Sequence, residues 1–261
     1  MEITSDEILN TIEALYLTYP PIPGKLEYFD IAGIQGWYSP GLSHPLMNLV
    51  IKTNLTTENA DETIQTVQDQ FKAQEKAFGW WVSDLSLPAD LGTRLEAAGL
   101  AKVVETAGMS LDVHHPISAN PAVRVGQVAT GDVPIVADLY HRAYPVPKPL
   151  AEHRVELWEK MGFMQFFAYV EESEDPVAVA SMWYRPGYPI ALLGGAATLT
   201  EYRGRGIYTA LVAQRLKKAI ADGMQTAIIA ADRSTSAPIC KKLGFAEQCS
   251  LALYAWTPLD S

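Results

Sequence analysis

The feature that most constrains this chain is a repeat within its own sequence. Trp37-Tyr38-Ser39-Pro40-Gly41 returns as Trp183-Tyr184-Arg185-Pro186-Gly187, an offset of 183 − 37 = 146. Arg94-Leu95-Glu96-Ala97-Ala98-Gly99-Leu100 is echoed by Ile239-Cys240-Lys241-Lys242-Leu243-Gly244-Phe245, an offset of 244 − 99 = 145. Two anchors at nearly one spacing imply two copies of one folding unit, and a fold must accommodate both. Between the anchors both halves read as strand, loop, long helix, strand, short helix, strand, an α/β (α+β) pattern. In the first half the spacing predicts a strand over 46–55 and a helix over 60–77, with Ile64, Val67, Phe71 and Phe78 on its buried side. A strand at Trp80-Trp81-Val82, a short helix over 91–98 and a strand over 103–113 complete it. The second half repeats the order at 190–199, 206–221, 226–231, 236–243 and 246–256. Gly99 and Gly244 stand where a helix ends in the left-handed conformation. The copies meet at a polar, proline-bounded linker, His114 to Pro121, which sets the domains at 1–115 and 121–258. The adjacent His114 and His115 point to opposite faces of an extended chain and have no acidic or thiol ligands alongside. They read as linker surface, and no metal is expected.

Composition narrows the function. Of 261 residues, 48% are hydrophobic and 19% charged, enough apolar material for packed cores and too much for a disordered chain. Twenty basic against thirty acidic residues give a net charge of −10, which excludes a general nucleic-acid binder and disfavours an anionic membrane surface. Two cysteines make neither a disulfide framework nor a thiolate zinc site. The start, Met1 to Glu7, is acidic and lacks the basic-then-apolar order of a secretory signal. The longest apolar run, Pro189 to Leu199, is too short and too glycine-rich to span a bilayer. A soluble cytoplasmic protein is expected, as a monomer or a homodimer.

The informative segment is Leu199-Thr200-Glu201-Tyr202-Arg203-Gly204-Arg205-Gly206-Ile207-Tyr208-Thr209-Ala210-Leu211. A strand ends, an Arg/Gly loop follows, and a helix begins with Ile207, Leu211, Val212, Leu216 and Ile220 inward. Unpaired N–H groups at a helix N-terminus, together with the positive end of its dipole, bind anions. Gly204 and Gly206 let the backbone approach one closely, and Arg203 and Arg205 bring positive charge. The sequence contains neither the Gly-x-x-x-x-Gly-Lys-Ser/Thr nor the Gly-x-Gly-x-x-Gly pattern of other phosphate loops.

These residues resemble the GNAT superfamily of acyl-CoA-dependent N-acetyltransferases. Its Arg/Gln-x-x-Gly-x-Gly/Ala signature reads here Arg203-Gly204-Arg205-Gly206-Ile207-Tyr208, and its later Tyr-x-x-x-Gly-Phe reads Cys240-Lys241-Lys242-Leu243-Gly244-Phe245. The resemblance covers about Val123 to Trp256 and extends loosely to the first half. It implies two tandem GNAT-like folds, each a mixed, mostly antiparallel sheet flanked by helices. It also implies acetyl-CoA as donor and a primary amine, on a small molecule or a peptide, as acceptor. Amides from Arg203 to Thr209 (Gly204, Arg205, Gly206, Ile207 and Tyr208 between them) are expected to hold the pyrophosphate. Backbone of Ala197, Thr198 and Leu199 is expected to pair with the pantetheine arm, with one N–H polarising the thioester carbonyl. The chain departs from the family at two positions. Tyr208 stands where the signature has Gly or Ala, and Cys240 stands where a tyrosine often protonates the leaving thiolate. A thiol is a competent acid toward another thiol, and a small buried residue is the other reading of Cys240.

Carried back by the offset, the signature falls on Glu58-Asn59-Ala60-Asp61-Glu62-Thr63, where three carboxylates replace the arginines and no glycine remains. The first half therefore reads as a degenerate copy without a CoA site. Tyr28, Trp37 and Tyr38 read as core aromatics of that copy or as a wall of the acceptor cleft. An amine acceptor also needs a base. Asp232 follows a strand at its carboxyl end and reads as that base or as a helix cap. Glu152, His153 and Glu156 lie on an expected helix and read as its solvated face or as a border of the acceptor side, and Tyr144 and Trp158 are candidate acceptor contacts. A non-catalytic acyl-CoA sensor is the alternative to an enzyme.

Overall fold

The computed structural model describes residues 3–144 and 146–258, so Met1 and Glu2 of the acidic start lie outside the described residues. The chain forms two compact units. One comprises Ser5–Gly108, Ala231–Ala237 and the chain from Glu247 on, and the other is built mainly from Met109–Ala230 and Pro238–Ala246.

The first unit holds α1 (Ser5–Glu13), β1 (Glu27–Ile31), β2 (Ile34–Tyr38), β3 (Asn48–Thr53), α2 (Ala60–Ala73), β4 (Phe78–Ser83), α3 (Leu91–Ala97) and the opening of β5 (Ala101–Asp112). β1, β2 and β3 form an antiparallel meander, and β3 lies parallel to β4 through Leu49↔Gly79 and Val50↔Trp80. Helix α2 stops at Ala73 rather than reaching the expected residue 77, because Glu75 turns into the left-handed region at φ 54°. That turn frees Phe78 to begin β4, where its ring stacks on Phe71 at 4.7 Å. Ile64, Val67 and Phe71 line the buried face of α2 as their spacing predicts.

The second unit runs through β6 (Arg124–Gln127), α4 (Val133–Ala143), α5 (Lys148–Lys160), β7 (Met164–Tyr169), β8 (Ala178–Tyr184), β9 (Ile190–Thr198), α6 (Ile207–Ala221), β10 (Thr226–Asp232) and α7 (Ser236–Lys242). The strands β6 to β9 are antiparallel in chain order, and β10 joins β9 in parallel.

The last strand, β11 (Ala246–Trp256), pairs antiparallel with β4, from Leu251↔Ser83 to Trp256↔Phe78. Tyr254 accordingly belongs to the first unit's core with Trp80, Leu91 and Leu95. The neighbour of β10 is instead β5, whose end leads to Val113, donating to the Gln225 carbonyl at 3.0 Å. The two copies have thus traded their closing strands. The expected boundaries, 1–115 and 121–258, describe halves of the sequence, and the compact units cut across them. Among the described residues no helix is long and apolar enough to cross a membrane.

Candidate active site

The site grows from β9. Its parallel pairing with β10 runs from Thr226↔Ile190 to Ile229↔Leu193 and then stops. On the other side, β8 pairs Ser181 with Gly194 and Val179 with Ala197, so Gly195 and Ala196 together oppose Ala180 as a bulge. Gly195 takes φ +53°, and a Cβ there would lie 2.4 Å from the Tyr140 hydroxyl and 2.6 Å from Ser181 Oγ. Only glycine fits. The strand is re-aimed at the point where it leaves its parallel neighbour, which opens one backbone edge from Gly194 onward.

The ladder decides which residues face that opening. Leu199 donates its N–H to the Val177 carbonyl at 3.0 Å, so Leu199 and, two residues back, Ala197 are turned toward β8. Ala196 and Thr198 are turned away. Their carbonyls confirm the phase, since Ala196 accepts from the Tyr144 hydroxyl at 2.5 Å and Thr198 from Arg203 Nε at 3.1 Å. The expected trio of Ala197, Thr198 and Leu199 is corrected on this point, and Ala196 with Thr198 forms the open edge. A Gly-Gly pair inside a strand was the sequence signal for the bulge.

Past Thr198 a short 3-10 turn, Thr200–Tyr202, leads to the glycine loop. Gly204 and Gly206 both adopt φ 78°, and Gly206 is the N-cap of α6 with no side chain capping the helix. The first helical bond is Ala210 N–H to the Gly206 carbonyl, leaving the amides of Ile207, Tyr208 and Thr209 as the unpaired first turn. Both arginines are engaged elsewhere. Arg203 donates from Nε to Thr198 and from Nη2 to the Ala143 carbonyl at 3.0 Å, tying the end of β9 to the end of α4. Arg205 pairs with Glu172 and lies 5.2 Å over the Tyr202 ring. The arginines therefore shape the loop. Asn120, read from sequence only as part of the linker, donates to the Arg205 carbonyl at 3.0 Å and braces the loop.

Beneath the opening, Cys240 on α7 is fully buried, with its Sγ 3.4 Å from the Tyr208 hydroxyl. Burial pushes the Cys240 thiol upward, against the opposing pull of the Tyr208 contact and the Arg215 charge. Arg215 is itself fully buried. It donates to the carbonyls of Leu211, Ser181 and Gly194 at 3.1, 3.0 and 3.3 Å. Its Nη2 has no hydrogen-bond partner among the described residues. Sequence reasoning missed it, although its place one turn from Leu211 and one turn from Ala219 puts it on the inward face of α6.

Asp232 holds the turn before α7. Its Oδ1 accepts from the backbone and hydroxyl groups of Ser234 and Thr235 at 2.6 to 3.0 Å. Burial works to raise its pKa, but those bonds prevail and hold the carboxyl below its ordinary value, the wrong direction for an amine's base. Glu152 faces Lys148 at 3.9 Å and Glu156 faces Lys160 at 3.1 Å along α5. Tyr144 is exposed beside the bulge, whereas Trp158 is buried with its ring end 3.2 Å from the position a Gly195 Cβ would take. In the first unit Trp37 is buried and donates to the Tyr16 carbonyl, which makes it core.

A parallel strand pair thus parts at a bulge beside a glycine-led helix with an open first turn. Residues 133–245 match the acetyltransferase (GNAT) family model. That segment belongs to the GNAT family, and the chain is an acyltransferase. The fold as a whole agrees. A GCN5-related N-acetyltransferase from Kribbella flavida superposes at TM-score 0.70 with 13% identity, over 100% of this chain and 97% of its own. A tandem GNAT protein from the clavulanic acid biosynthesis pathway does so at 0.63 with 14% identity, over 95% and 89%. A conserved protein of unknown function from Staphylococcus epidermidis gives 0.69 with 13% identity, over 91% and 96%. No curated protein sequence matches the chain.

Proposed function

We propose that the chain transfers an acetyl group from acetyl-CoA to a primary amine of a small molecule or peptide, by direct attack on the thioester. The observation that carries this is the coincidence of two open backbone features on consecutive elements, the β9 edge at Ala196 and Thr198 and the uncapped first turn of α6. The residues fit the donor's shape. Gly204 has nothing within 4 Å of where a Cβ would stand, leaving room for a pyrophosphate against the amides of Ile207, Tyr208 and Thr209. The edge of β9 would take the pantetheine arm in the manner of an added strand, with an Ala196 or Thr198 amide polarising the carbonyl. Such donors, fixed where charge develops, are commonly worth about 3 kcal/mol.

We further propose that the first copy holds no donor. Its equivalent strand pair, β3 and β4, also stops pairing early, but the loop after β4 fills the place. Leu87 donates to Thr53 and accepts from Leu55, both at 3.1 Å. The first turn of α2 carries its own acids, Asp61 and Glu62, and Thr56 and Asn59 bond each other's side chains across its start. The net charge of −10 suits a cationic acceptor. The buried free thiols Cys240 and Cys249 suit a reducing compartment such as the cytoplasm.

Calorimetry with acetyl-CoA is the test, followed by a panel of polyamines, amino sugars and basic peptides read by thiol release. One donor per chain and turnover on a cationic amine are expected. Absence of binding removes the reading, two donors per chain removes the silent first copy, and binding without turnover leaves an acyl-CoA sensor.

A further inference from the structure

Tyr208 is an anomaly of size and Cys240 an anomaly of chemistry, and the structure brings the two into contact. The phenol missing from α7 is present on α6. Its hydroxyl meets the Cys240 sulfur at 3.4 Å, so the small residue on α7 leaves the space that the large residue on α6 enters. Two groups that interact electrostatically with Tyr208 also touch the open strand. Arg215, in electrostatic reach of Tyr208, donates to Gly194, one residue past the last β9–β10 pair at Leu193. Tyr144, also in reach, donates to Ala196 in the bulge. Resting on the reading above, we propose that the Tyr208 hydroxyl is the catalytic donor to the leaving sulfur of coenzyme A, in place of a residue at position 240.

The chemistry favours this. A thiol sulfur is a weak acceptor, so turning the hydroxyl from Cys240 to a developing thiolate exchanges a poor hydrogen bond for a charge-assisted one. As the acceptor nitrogen attacks, the C–S bond breaks with its electron pair on sulfur, and the Tyr208 hydroxyl gives that sulfur its proton. The tyrosine recovers a proton from the one the nitrogen loses on becoming an amide. Coenzyme A leaves as the thiol, and no net proton is consumed. The groups that act electrostatically on the hydroxyl are Cys240 on α7, Arg215 on its own helix, and Tyr144 just after α4. The fixed charge of Arg215 supports the transient phenolate. Burial above all, with Cys240 second, raises the Tyr208 pKa, which makes the resting hydroxyl a weaker acid, so its transfer of a proton to sulfur depends on the Arg215 charge.

Tyr208→Phe keeps the ring and removes the donor. With acetyl-CoA affinity unchanged by calorimetry, kcat is expected to fall about 100-fold. A readout independent of any acceptor is the ultraviolet thiolate absorbance of bound coenzyme A. Its titration is expected to move up by about one pH unit in Tyr208→Phe, since the wild-type hydroxyl stabilises the thiolate. Tyr208→Ala with Cys240→Tyr returns the phenol to α7 and is expected to recover most of the kcat that Tyr208→Ala alone loses. An unmoved thiol titration, or wild-type kcat in Tyr208→Phe, overturns the assignment while leaving the acetyltransferase reading intact. Failure of wild-type protein to bind coenzyme A at all overturns both.

Discussion

Gly206 and Asp232 show how a backbone angle and a handful of hydrogen bonds decide function at the scale of one residue. At φ 78° Gly206 aims the first turn of α6 outward, and its nearest side chain is that of Asn120, 3.3 Å from a would-be Cβ. A side chain costs roughly 1–2 kcal/mol there through the left-handed backbone alone and also fills the approach of a phosphate. Gly206→Val is therefore expected to weaken acetyl-CoA binding at least tenfold by calorimetry. Asn59→Val, at the matching place on α2, should leave it unchanged, and equal losses would remove the loop assignment. Asp232→Ala should cost about 1 kcal/mol in urea unfolding through its lost hydrogen bonds, with kcat within twofold of wild type. The sign with pH follows from its depressed pKa: the turn's contribution is present at neutral pH and is lost as pH falls through the folded value. A collapse of kcat in Asp232→Ala with unaltered stability would restore it as a base.

Elements read most clearly from sequence were those whose signal is local. Gly99 and Gly244 end α3 and α7 at φ +87° and +94°, and both helices close alike. Leu100 donates to Leu95, and Phe245 to Cys240, each at 3.0 Å. This shared ending is the structural form of the second sequence anchor. The two glycines differ in what surrounds them. A Cβ on Gly99 meets nothing within 4 Å, whereas one on Gly244 would lie 2.6 Å from the His115 ring. Gly99→Ala should thus lose about 1 kcal/mol, the left-handed cost alone, and Gly244→Ala measurably more in the same unfolding experiment; equal losses would mean His115 yields freely. The periodicity of α2, the strand at 190–199 and the glycine loop were legible in the same local way, as was the inward face of α6 up to Leu216, while Ile220, expected inward, is 40% exposed near the helix end. What escaped depends on distant partners. The end of α2 was overrun because Phe78 fits the helical stripe as well as it fits β4. The Tyr208–Cys240 contact spans 32 residues, and the guanidinium partners of Arg203 are carbonyls, which no pattern of side chains announces.

For the whole molecule, the exchange of closing strands makes each copy incomplete by itself. The first unit's core takes Tyr254 from β11, and β4 has its antiparallel partner only when β11 is present. A fragment of residues 1–115 would leave the β4 edge open, and a fragment of 121–258 would carry Leu251, Leu253 and Tyr254, buried in the full chain, on a strand with no β4 to pair with. Open apolar strands of that kind aggregate or swap. Expressed singly, both fragments are expected in the insoluble fraction. Expressed together with a tag on one, they should copurify in equal amounts, because the pairing of β11 with β4 needs no covalent linker through Pro116 to Pro121. The reassembled pair should also bind acetyl-CoA once, more weakly than the intact chain, because both fragments lack Asn120, which braces the loop through the Arg205 carbonyl. Recovery of 121–258 alone as a soluble, cooperatively unfolding monomer would mean that its last strand can find a place within its own copy, and that the exchange is one of two packings open to this sequence.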